Sequence, residues 1–139
     1  MVTIYQTFNG NLNLKTKPMR PIEFRGFSLS DKQWKYGYYY VNTLEMHNIV
    51  CLDGMTWEVY RDSIGQYTWL KDKNGVKIYE GDYTDSGHMI CFIEWMFIPY
   101  YDWGNQEKYE DVWCDWWSDC EIIGNQYENP NLPEEYDRE

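Results

Sequence analysis

No apolar run in this 139-residue chain approaches the roughly 18 residues needed to cross a bilayer, and its start lacks a charged-then-apolar leader. A spanning helix is excluded on that count, and a cytoplasmic protein is expected. Histidine and cysteine are scarce: His47 and His88, with Cys51, Cys91, Cys114 and Cys120, and no Cys-x-x-Cys pair. Without an export signal the thiols are expected free rather than bridged. The ten glycines are scattered, and none forms the G-x-x-x-x-G-K or G-x-G-x-x-G loop that cradles phosphates, which argues against nucleotide chemistry.

Positive charge is also sparse, and unevenly so. Residues 1–69 carry seven Lys or Arg against six Asp or Glu, whereas residues 70–139 carry five against seventeen, a net charge of −12. That half repels a phosphate backbone over a Debye length of about 8 Å at physiological salt, so direct nucleic-acid contact through it is disfavoured. A basic protein surface would be drawn to it.

Each catalytic constellation the residues allow meets a physical objection. Zinc could recruit His88, Cys91, Cys114 and Cys120. On a strand, however, His88 and Cys91 point to opposite faces. A Cys–His nucleophile pair using His47 or His88 has no recognisable nucleophile motif around it. Carboxylate neighbours such as Glu110 with Asp111, or Asp115 with Asp119, read as a solvated acidic face. No catalytic residue, metal or cofactor is assigned, and a non-enzymatic protein is expected.

Aromatic residues are abundant, with 8 Trp, 14 Tyr and 5 Phe. Such rings suit sheets and interaction surfaces. Apolar Ile22 and Phe24 alternate with charged Glu23 and Arg25, predicting a strand over 22–27, and Trp34, Tyr36, Tyr38 and Tyr40 predict a second with its rings on one face. Asp53-Gly54 and Asn74-Gly75, each between apolar runs, predict two hairpins. Residues 89–98 read as one long central strand ended by Pro99, and residues 121–124 as a short strand. Tyr109, Val112, Trp113, Trp116 and Trp117 recur at helical spacing although their types also suit strands, so 106–118 is read as a short helix. The whole is expected to be mainly β.

The segment GQYTWLKDKNGVKIYEGDY, residues 65–83, resembles the signature of YopX family proteins, which occur in phages and prophages. EIIGNQYENPNL, residues 121–132, is similar to the family's terminal motif, and the run from Arg20 to Arg25 to its opening strand. Trp69 departs from the pattern, standing where the family usually has glycine; Tyr83-Thr84 and residues 97–120 depart as well. The resemblance implies a C-terminal SH3-like small barrel and brings no established activity. The expected organisation is an N-terminal extension over 1–18, a β-hairpin subdomain over 19–64, the SH3-like barrel over 65–133 and an acidic tail over 134–139. Within the signature, Gly65 and Gly75 suit turns, while Tyr67, Leu70, Ile78 and Tyr79 suit a core.

Aromatic anchors ringed by carboxylates have the composition of a protein interface. The rings Tyr101, Trp103, Trp113 and Trp116, interleaved with Asp102, Glu107, Glu110, Asp111, Asp115 and Asp119, are the expected contact residues. Their expected partner is a host protein with a basic surface, met in the bacterial cytoplasm, with nucleic-acid mimicry as the sharper form. An SH3-like adaptor for basic or proline-rich peptides is the alternative. Oligomeric state is left open.

Overall fold

The structure, a computed structural model, describes residues 2–6, 12–16, 22–93, 96–100 and 116–132. The mainly β expectation holds: twelve strands are joined among the described residues by a single 3₁₀ turn and one four-residue helix. Strands β1 (Val2–Gln6) and β2 (Leu12–Thr16) form an antiparallel pair within the segment expected as an extension.

The first large sheet contains β3 (Phe24–Phe27), β4 (Trp34–Val41), β5 (His47–Val50), β6 (Thr56–Glu58), β7 (Gly65–Lys71) and β8 (Lys77–Tyr79). Their order across it is β6-β5-β4-β3-β7-β8, all antiparallel. Both glycine turns form hairpins as expected. At the second, Gly75 takes φ +77°, a left-handed conformation that costs glycine little. The Asp72 carboxylate steadies that turn, accepting hydrogen bonds from the backbone N–H of Asn74 and Val76 with one oxygen and of Ile122 with the other. Gly65 lies in β7 rather than in a turn, and a Cβ there would stand 2.4 Å from the carbonyl oxygen of Glu80. Close backbone approach is what requires glycine at that position.

The second sheet runs β11-β10-β9-β12, from β9 (Asp82–Thr84), β10 (Met89–Ile93), β11 (Met96–Tyr100) and β12 (Ile122–Asn125). The single strand expected over 89–98 is therefore two, paired from Ile93 opposite Met96 to Met89 opposite Tyr100. Continuous β-type residues conceal a reversal when no glycine marks it. Pro99 does not end a strand but sits in β11, which is an edge strand, where a missing N–H is tolerated.

The SH3-like barrel expected over 65–133 does not close. Its opening strand, β7, pairs with β3, so β7 and β8 of the signature segment belong to the first sheet, while β9 at the segment's end lies in a four-stranded second sheet that stays open among the described residues. The position between residues 64 and 65 thus falls inside the six-stranded sheet, between the 3₁₀ turn Arg61–Ser63 and β7. Elsewhere the first sheet curls: an isolated bridge joins Ser28 to Val59, tying the end of β3 to the chain leaving β6.

The chain passes from one sheet to the other at Glu80-Gly81. Core residues Ile78, Ile90, Trp117 and Cys120 pack together just beside this crossing, with Leu70 and Ile122 against them. Trp117 comes from α1 (Trp116–Asp119), which coincides with the end of the helix expected over 106–118. The rest of that expected helix lies outside the described residues.

Candidate functional site

A cleft of about 520 Å³ opens where the two sheets meet. Its position follows from strand register. Arg25 stands opposite Tyr36, and Phe27 opposite Trp34, so these four side chains share one face of the first sheet. The turn after β12 docks on that face through Tyr127, whose ring centre lies 5.3 Å from Phe27 and 5.9 Å from Trp34. Docking brings Asn125 and Glu128 into the cleft's lining together with Glu23, Lys77 and Tyr79.

On the cleft floor a guanidinium crosses the seam. Arg25 Nη2 donates to Asp82 Oδ1 at 2.6 Å, linking β3 to β9 over 57 residues of chain, and both side chains are buried. Asp82 Oδ2 accepts the Tyr79 N–H at 2.8 Å. Arg25 Cζ also lies 4.8 Å from the Trp34 ring centre and 4.9 Å from that of Tyr79, within cation–π range. Its Nε–H is the one buried side-chain polar atom among the described residues with no hydrogen-bond partner. Burial pushes the Asp82 carboxyl above its ordinary range, against the pull of Arg25 and the Tyr79 N–H.

Around this pair the walls are aromatic and acidic. Tyr36, 44% exposed, tilts against Tyr79 at 5.8 Å and continues along β4 into Tyr38 and Tyr40, both open to solvent. Glu23 takes a hydrogen bond from the Tyr79 hydroxyl and an ion pair from Lys77 Nζ at 3.0 Å. Burial, and then that hydrogen bond, push the Tyr79 hydroxyl well above its ordinary pKa. The Tyr36 hydroxyl is also held up, first by burial and then, against Arg25, by the charges of Asp82, Glu128 and Glu23. Glu128 is fixed by Asn125, whose Nδ2 donates to Glu128 Oε2 at 2.8 Å while its Oδ1 accepts the Glu128 N–H.

Of the contact residues expected from sequence, Tyr101, Asp102, Trp103, Glu107, Glu110, Asp111, Trp113 and Asp115 lie outside the described residues. Trp116 begins α1, and Asp119, at its end, is exposed. The neighbouring Trp117 is a core residue rather than a contact. Asp119 does not line the cleft, whose described lining includes Glu23, Arg25, Trp34, Tyr36, Tyr79 and Glu128. The alternation over 22–27 also reads differently in space: Arg25 is buried while Ile22 is 57% exposed. A signal was present in the Glu-x-Arg of residues 23–25 and the Gly-Asp of the signature segment, but only pairing across 57 residues joins them.

Two of the described cysteines are held in the thiol form. Burial pushes the Cys91 and Cys120 thiols up to about 11. Cys114, proposed with them as a zinc ligand, lies outside the described residues, and among those residues no group of three His, Cys, Asp or Glu could hold a metal ion. Among them, too, no helix is long and apolar enough to cross a membrane.

Two antiparallel sheets, open among the described residues and meeting at an aromatic, carboxylate-edged cleft, define a mainly β protein with a crevice at its seam. The chain belongs to the YopX protein family, whose profile matches residues 23–134. That span covers β3 to β12 and therefore both walls of the cleft. No curated protein matches the chain.

Proposed function

We propose that this protein is a non-enzymatic accessory protein of a phage or prophage, acting in the cytoplasm of the bacterial host by gripping a basic or proline-bearing segment of a host protein in the cleft between its sheets. The observation that carries this reading is the cleft's lining. Trp34, Tyr36 and Tyr79 supply flat apolar surface of the kind that accepts extended peptide, while the lining carboxylates Glu23, Asp82 and Glu128 outnumber the lining cations Arg25 and Lys77 and bias it toward a further cation. Tyr38 and Tyr40 prolong the aromatic surface beyond the cleft mouth, giving an extended segment further rings to lie on. A peptide array of basic and proline-rich sequences, probed with wild type and with a Trp34→Ala, Tyr36→Ala double variant, tests it. Wild type retains peptides that the variant loses; an array on which both behave alike refutes the cleft as the binding site.

The net charge of −12 over residues 70–139 favours a second reading, in which Tyr101, Trp103, Trp113, Trp116 and the intervening carboxylates meet a basic host surface and mimic nucleic acid. Host proteins recovered at low and high salt by wild type and by an Asp102→Lys, Asp111→Lys, Asp115→Lys variant distinguish it. Equal recovery of every partner at both salt concentrations ends this second reading and leaves the cleft untouched.

A further inference from the structure

We infer that the side chain the cleft selects is an arginine, its guanidinium laid against Tyr36 and paired with Glu128. This rests on the segment-binding reading above and adds the residue the segment must carry.

Three features of the cleft converge on that choice. First, the protein already holds one guanidinium there: Arg25 lies between the rings of Trp34 and Tyr79 with its charge met by Asp82. The same materials, rings and a carboxylate, continue outward from it in Tyr36 and Glu128.

Second, the charges do not balance. Asp82 is engaged by Arg25 and Glu23 by Lys77, so among the described residues Glu128 is left as the lining carboxylate without a cation. Its Oε2 takes one hydrogen bond, from the buried Asn125, and its Oε1 receives none from the described residues. Asn125 therefore fixes a carboxylate at the rim with one oxygen open to a donor. Against the lining cations Arg25 and Lys77, the three carboxylates leave one excess negative charge, which one incoming cation would neutralise.

Third, the geometry suits a planar cation better than an ammonium. A guanidinium stacks on a ring and presents paired N–H donors to a carboxylate at the same time, whereas a lysine ammonium is a compact, strongly hydrated point charge. The Tyr36 ring, 44% exposed and braced by Tyr79, supplies a stacking surface in the same cleft as the carboxylate.

The test uses the full chain and three blocked decapeptides of alternating proline and a variable residue: arginine, lysine or citrulline. Binding is read by calorimetry. The arginine peptide is expected to bind about tenfold more tightly than the lysine peptide, the size of one stacking or charge-assisted contact. The citrulline peptide, equally planar but neutral, binds more weakly still. Glu128→Gln removes the arginine preference over citrulline, Tyr36→Ala removes the preference over lysine, and Tyr36→Phe keeps it. Both sites are on the surface, and circular dichroism verifies that each variant remains folded. Equal affinity for arginine and lysine peptides overturns the inference but leaves segment binding standing. Binding of none of the three overturns both.

Discussion

Trp69 stands where the family pattern usually has glycine, and the backbone there shows what such a residue must tolerate. It adopts φ +75°, the left-handed region. The cause is a bulge in the β7–β8 hairpin: Tyr67 pairs with Tyr79 and Lys71 with Lys77, four steps along β7 against two along β8. Thr68 fills the break, its hydroxyl donating to the Ile78 carbonyl at 2.8 Å and accepting the Leu70 N–H at 3.2 Å. An L-residue in this conformation costs about 1–2 kcal/mol. Comparing Trp69→Gly with Trp69→Ala isolates that cost, because both remove the ring that packs on Tyr67 at 5.3 Å. Glycine relieves the strain but loses roughly 0.5–1 kcal/mol through its freer unfolded chain. The expected balance is about 0.5–1 kcal/mol in favour of the glycine variant, with Trp69→Asn between the two. Urea unfolding followed by circular dichroism reads it as a midpoint higher by about 0.4 M, for a slope near 2 kcal/mol/M. An alanine variant as stable as the glycine variant would refute the reasoning and place the family's glycine preference elsewhere.

Breaking the buried pair by Arg25→Met or Asp82→Asn alone is expected to cost about 3–5 kcal/mol, because the remaining group keeps its burial without its partner. The double variant should cost less than the two losses added, and strict additivity in urea unfolding would show that the pair is not coupled. Asp72 supplies a pH dependence of known sign. Burial opposes its charge, but the N–H groups of Ile122, Val76 and Asn74 outweigh it and hold the carboxyl below its ordinary 3.8. Its contribution is present above that value and lost as pH falls through the lowered folded-state value, so Asp72→Asn should flatten the acid limb of the stability curve; an unchanged limb contradicts this. Finally, with thiols near 11, Cys91 and Cys120 carry only about 0.1% thiolate at pH 8. A thiol reagent mapped by mass spectrometry should label them far more slowly in the folded than in the urea-unfolded protein, and equal rates would show that burial does not protect them.

What the chain determined locally is considerable. Asp53-Gly54 and Asn74-Gly75 marked their hairpins because positive φ at a two-strand junction is a property of the turn residues themselves. The rings of β4 followed from alternation, which is also local, and the core positions Tyr67, Ile78 and Tyr79 from the apolar residues of the signature segment. Family membership was legible in residues 65–83, including the anomaly at Trp69 that the backbone angle then explained.

Three things were decided only in three dimensions. β7 chose β3 as its neighbour, which opened the expected barrel; the run over 89–98 turned back on itself; and Arg25 went inward to meet Asp82. The first and third depend on which distant segment arrives alongside, while the second is a local reversal without a glycine to mark it. A strand's unpaired N–H and C=O groups accept any well-placed neighbour, and an arginine's charge is equally served by water or by a carboxylate 57 residues away. Local chemistry sets what a segment can become, while the burial of its far partner sets what it faces, and the cleft exists only through the second.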